Sequence, residues 1–178
     1  MQIIPGIVLT DQVQYPMIFR MWLVSLFLIV ILFVSFFVGL KEGAVKRLFS
    51  LAATLIAIVL AGLSYDFLAG LLSFLPGENW ENFLGFFITL GIIAALLHLL
   101  FLLPKKLVQK AWNQGPPYRI LGSITSVFET SIGFVVFATV LFTFPIIDWL
   151  ARWFSESGVM SSLIDFFSFV QDLLPTGF

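Results

Sequence analysis

The chain has 178 residues, of which 60% are hydrophobic and only 11% charged, with a formal net charge of −1. No water-soluble fold of this size hides so much apolar surface, so the composition excludes a soluble enzyme or carrier. The sequence has no cysteine, which removes disulfides, thiolate metal sites and cysteine nucleophiles, and its single histidine, His98, argues against a multi-imidazole metal centre.

Four uncharged apolar runs, or nearly so, organise the chain: Met21 to Leu40, Leu48 to Tyr65, Phe83 to Leu103 and Thr130 to Ile147. Each is about 20 residues, which at ~1.5 Å per residue crosses the roughly 30 Å hydrocarbon core of a bilayer. The expected fold is an all-α integral membrane protein in a single domain. Its spans run over about 21–40, 48–65, 83–103 and 124–147, joined by short interfacial helices and followed by an amphipathic tail over 157–174. No cleaved leader is expected, because the segment before Arg20 contains Pro5 and Pro16 and has no basic n-region.

Between the spans, Trp22, Tyr65 and Trp80 fall at interfaces, where amphipathic rings prefer the headgroup layer. The apolar stretch from Phe67 to Leu75 is too short to cross, so it extends the second helix or lies at the interface until Pro76-Gly77 ends it. Asn79 is suited to cap the third helix. Lys105 to Trp112 reads as a short amphipathic helix, with Leu107, Val108, Ala111 and Trp112 opposite Lys105, Lys106, Gln109 and Lys110. Gly115-Pro116-Pro117 should stop it. In the tail, Val159, Leu163, Phe166, Phe167, Val170 and Leu174 recur at helical spacing opposite Ser161, Asp165, Ser168 and Asp172. That acidic polar face favours docking on protein at the outer face over adhesion to anionic lipid.

The charges divide steeply. Lys41, Lys46 and Arg47 lie between the first two spans and Lys105, Lys106, Lys110 and Arg119 between the last two, while only Arg20 and Arg152 lie on the other side. Short basic loops stay in the cytoplasm, so both termini are expected outside. The seven inner cations are candidate contacts for anionic lipid.

Small residues line two faces: Ser50, Ala53, Ala57 and Ala61 on the second span, and Gly122, Ser126, Thr130 and Gly133 on the fourth. In lipid such faces let backbones approach closely, within one bundle or between subunits. Glu129 lies on the face of the second stripe, two to three turns in from Arg119, and an intramembrane acid is costly enough to demand a partner. His98, at a matching depth on the antiparallel third span, is the candidate; the alternative is an acid that snorkels or bonds to nearby hydroxyls. A relay needs more polar groups in series than these two, a lone histidine is weak evidence for haem, and no nucleophile elbow, phosphate loop or nucleic-acid motif is present. No catalytic, cofactor or metal residues are assigned.

The stretch G-L-K-E-G-A-V-K-R-L-F-S-L, Gly39 to Leu51, resembles the first membrane hairpin of the bacterial colicin V production protein family, through Gly39, Lys41, Gly43, Lys46 or Arg47, Leu48, Ser50 and Leu51. R-I-L-G, Arg119 to Gly122, is similar to the opening of that family's fourth span, and the tail ending in Leu-Leu-Pro fits its layout. The chain departs from the family pattern at Tyr118, where an acid is usual, at Ser126 in place of glycine, and at Glu129 where arginine is common. The resemblance implies an inner-membrane protein linked to peptide-toxin production or export, or to envelope homeostasis, with no established catalytic residues. The expectation is a non-enzymatic factor working through lipids and other membrane subunits or self-association. An accessory or scaffold subunit of a larger complex and a small transporter or channel are the alternatives.

Overall fold

The structure is a computed structural model that describes residues 11–74, 77–111 and 115–174. Pro5, Pro76 and Trp112, and the side chains of Asp11, Arg20, Gln109, Lys110 and Ala111, lie outside the described part. Among the described residues the chain is all helix: α1 (Asp11–Glu42), α2 (Ala44–Leu71), α3 (Glu78–Leu100), α4 (Leu102–Ala111), α5 (Pro116–Thr143), α6 (Asp148–Glu156), α7 (Gly158–Phe166) and α8 (Ser168–Asp172). Four of these, α1 from Trp22, α2, α3 and α5, are long and apolar enough to cross a membrane.

The helices are not arranged in chain order. α5 packs along both α1 and α2, and α3 packs on another side of α2, so α2 and α5 form the middle of the bundle and α1 and α3 its flanks. Half of the most apolar stretch of α5 is buried, against 17% for α1 and for α3. The main core joins Ile58 and Ala61 of α2, Phe83 and Phe86 of α3, and Ile132, Val135, Val136, Val140 and Leu141 of α5.

One residue, Gly43, turns α1 into α2. Its φ of 79° belongs to the left-handed region, which glycine enters without steric cost, and the Tyr118 ring occupies the space a Cβ would need. Gly39 and Gly122 then bring α1 against α5. A Cβ on Gly122 would stand 2.6 Å from the Gly43 carbonyl carbon, so the backbones touch there.

Several boundaries differ from the sequence expectation for local reasons. The fourth span begins at Pro116, because Gly115 is its N-cap and the two prolines take the first helical positions, where a missing N–H costs nothing. It ends at Thr143 instead of Ile147, since Pro145 disfavours helical geometry in the residue before it. α2 absorbs the Phe67 stretch as far as Leu71. Gly77, not Asn79, caps α3, and Asn79 lends its amide to the Pro145 carbonyl at 3.5 Å. α4 starts at Leu102, before Lys105, with Pro104 within its first turn.

The tail departs most. It is two helices broken at Phe167, and it does not stay at the end of the bundle. The Phe128 ring meets Phe166 and Phe167 at centroid distances of 6.1 and 5.4 Å, and Phe128 lies fifteen residues, or about 22 Å of helix rise, before the end of α5. Ser157, fully buried, bonds Ser25 of α1 at 3.0 Å and caps α7 by accepting from Met160 N–H. From there α7 descends along α1 and α5, and Phe167, Val170 and Leu174 join the main core. The segment buries Phe167, Val170 and Leu174 against the bundle and leaves Phe166 and Phe169 on the outside.

Candidate functional site

Arg47, Ser50 and Thr54 stand at i, i+3 and i+7 along the first turns of α2 and so share one face. That face meets α5 where Glu129 projects. Arg47 Nη1 donates to Glu129 Oε2 at 3.1 Å, Ser50 Oγ donates to Oε1 at 2.6 Å, and Thr54 Oγ1 lies 3.4 Å from the same oxygen. The Arg47 and Glu129 side chains are each only 16% exposed. An acid so placed is stable as a carboxylate only with a cation and donors around it, and α2 supplies all three.

Arg47 also faces Glu42 at the end of α1, with Nε 2.9 Å from Glu42 Oε2. The pair is coulombic only, because that N–H is not aligned for a hydrogen bond with any acceptor. Lys46 completes the group with an ion pair to Glu42, one turn earlier. Lys105 of α4 lies near this cluster. Burial above all, and then the Lys46 charge, lowers its ammonium pKa below the ordinary lysine value; Glu42 opposes the shift and Arg47 adds to it.

His98 and Glu129 come together, but through a third residue. His98 Nε2 is 3.1 Å from Ser50 Oγ, and Nδ1 is 2.9 Å from the Ala94 carbonyl. A carbonyl only accepts, so Nδ1 carries a hydrogen. The Ser50 hydroxyl therefore stands between the imidazole and the Glu129 carboxyl group. The three residues thus form one hydrogen-bonded unit. Beyond Thr54 the α2–α5 packing runs through Ile58, Ala61, Ile132, Val135 and Val136, and Thr139 on the same face of α5 turns its hydroxyl onto the Val135 carbonyl of its own helix.

The remaining sequence candidates separate. Ala53, Ala57 and Ala61 are wholly buried, as a close-packing stripe requires. Gly122 and Ser126 meet α1, where Ser35 donates to the Ser126 carbonyl at 2.9 Å and shares bonds with the hydroxyls of Ser126 and Thr130 at 2.8 and 2.6 Å. Gly133 does not follow them: nothing lies within 4 Å of where its Cβ would be. Among the seven inner cations, Lys41, Lys106 and Arg119 are exposed and make no ion pair with the described residues, Lys105 is half-buried, and the Lys110 side chain is not described. Lys46 and Arg47 are engaged with carboxylates, and Arg47 is turned away from lipid. Sequence reasoning assigned Arg47 to the lipid rim and Ser50 to a packing stripe, missing both as Glu129 partners. The readable signal was the shared α2 face of Arg47, Ser50 and Thr54 opposite an acid that needed a counter-charge.

Four crossing helices with an ion-paired cluster at one end and an apolar core at the other define a polytopic helical membrane protein. The match to a family model narrows this. Residues 24–168 match the family described as Colicin V production protein, and the chain belongs to that family. No curated protein and no solved structure gives a match.

Proposed function

We propose that the chain is a non-enzymatic factor of the bacterial inner membrane that supports peptide-toxin production or export, or envelope homeostasis, through contacts with lipid and other membrane proteins. The family assignment supplies the link to toxin production. The observation that carries the non-enzymatic reading is that the polar groups inside the spans are spent on one another. Glu129 is occupied by Arg47, Ser50 and Thr54, and the His98 imidazole and the Ser50 hydroxyl are tied into the same unit. The α2–α5 packing beyond Thr54 weighs against a path for ions or solutes. The accessory-subunit reading has support of its own in α1, which turns Trp22, Phe27, Phe33 and Phe37 outward on a flank of the bundle.

In this reading the basic connections around Lys41 and Lys106 face the cytoplasm. A single cysteine at Gly77 should then react with an impermeant maleimide in intact cells, and one at Lys106 only after lysis. The functional test is deletion and complementation. Loss of the chain should reduce toxin release or sensitise the envelope, and the purified protein in liposomes should carry no proton flux. Flux that disappears in Glu129→Gln would replace this reading with transport.

A further inference from the structure

Helix α4 turns its apolar side chains in two directions. Val108 packs against the cluster of Ala44, Val45 and Tyr118, and Phe101, just before the helix, meets Phe49 at a centroid distance of 5.6 Å, so α4 lies along the first turns of α2. Leu103 and Leu107, one turn apart, face outward with 74% and 72% of their surface exposed. Lys106, also exposed, follows Leu103 by three residues and so stands on the same side of the helix. Helical spacing alone groups Leu107 with Val108, yet the bundle takes only Val108. Val45 and Phe49 bracket the point where the uncharged run of α2 begins, at Leu48, which puts the outward leucines at the edge of the hydrocarbon.

Charge at this end of the bundle does not balance. Glu42 and Glu129, the acids among its described residues, are taken by Lys46 and Arg47. Lys41 on α1, Lys106 on α4 and Arg119 on α5 stay exposed with no ion pair among the described residues. Because α1 and α3 are the two flanks of the bundle and α4 follows α3, the surplus is spread round the end and is not one patch.

We propose that the outer side of α4 seats an anionic phospholipid of the surrounding leaflet, with Lys106 on its phosphate and Leu103 and Leu107 against its acyl chains. A lysine stem that lies along apolar surface and lifts its ammonium to the headgroups is the ordinary geometry at this depth. A second copy would bring its own cations against these, and one acidic soluble partner would neutralise a single flank; a leaflet meets the whole rim at once. Of the seven inner cations, this assigns one to a site with its own apolar floor and leaves Lys46 and Arg47 to the protein. The inference rests on the lipid-contact part of the proposed function and is independent of toxin production.

The chain has no cysteine, so the test places a single bimane-labelled cysteine at Leu107 of the full chain. The protein sits in nanodiscs with equal amounts of phosphatidylglycerol and phosphatidylcholine, and the bromines that quench bimane are carried by one lipid or the other. Quenching should show phosphatidylglycerol enriched about fivefold beside the label, the factor that one lysine near a charged surface supplies. Lys106→Gln should remove the preference, and Lys41→Gln, on the other flank, should keep it. Millimolar inorganic phosphate should not reduce it, because the acyl chains as well as the charge hold the lipid. None of these readouts depends on toxin release, so a failed complementation leaves them standing. Equal quenching by the two brominated lipids, a preference undiminished in Lys106→Gln, loss to phosphate, or iodide quenching as strong as at a Gly77 cysteine, which would put this side of α4 in water, would each overturn the proposal.

Discussion

The two halves of α5 are built on different principles. From Tyr118 to Thr130 it meets its neighbours through glycine, hydroxyls and a carboxylate: backbone contact at Gly39 and Gly122, the Ser35 bonds, and the Arg47 ion pair. From Ile132 to Leu141 it meets them through bulk: Ile132, Val135, Val136, Val140 and Leu141 pack in one cluster with Ile58 of α2 and Phe86 of α3. In lipid, apolar side chains gain little by leaving one greasy surface for another, so the second half holds by close packing and tolerates a gap such as the open space beside Gly133. The first half has polar groups that only one register satisfies. The comparison teaches that mass and register are supplied by different ends of one helix.

Five substitutions can break or sharpen that contrast. The largest effect is expected in the apolar half: Phe86→Ala, at a fully buried ring, should cost about 3 to 5 kcal/mol in a reversible unfolding measurement in mixed micelles. Glu129→Ala should cost on the order of 3 kcal/mol, because Arg47 is left largely buried with only the poorly aligned Glu42. Adding Arg47→Met should restore most of that loss; if the double variant is as weak as the single, the ion pair is not what fixes the register. Gly122→Ala should cost about 2 kcal/mol by forcing α1 and α5 apart, and cysteine cross-linking between positions 35 and 126 should become slower. Ser35→Ala is the smallest, roughly 0.6 kcal/mol, the typical size of a hydrogen bond between membrane helices. A loss for Ser35→Ala as large as that for Phe86→Ala would reverse the assignment of mass and register.

The spans were legible because a 20-residue uncharged run has one physical solution in a bilayer; of the small residues, Ala53, Ala57, Ala61 and Ser126 are buried and Gly122 lies against the α1 backbone, while Gly133 meets nothing. Helix order in space was not legible: nothing in the runs says that α5 lies between α1 and α2, and that placement is what gives Glu129 to Arg47. Depth matching put His98 and Glu129 at the same level, but it could not show that the Ser50 hydroxyl stands between them. The tail misled because its periodicity reports an apolar face without reporting its address. An interface and a bundle interior both satisfy that face, and the break at Phe167 carries no proline or glycine to announce it.

The one-residue turn at Gly43 has a consequence for biogenesis. α1 and α2 leave the ribosome as a tightly joined hairpin, yet in the finished protein they touch little beyond that turn, because α5, synthesised some 70 residues later, is wedged between them. The hairpin must therefore wait open in the membrane, hinged at a glycine, with Arg47 lacking Glu129 until the wedge arrives. A nascent chain halted before α5 carries a cation near the end of a span with only Glu42 to offset it, which marks it as unfinished to any quality-control system that reads charge in the bilayer.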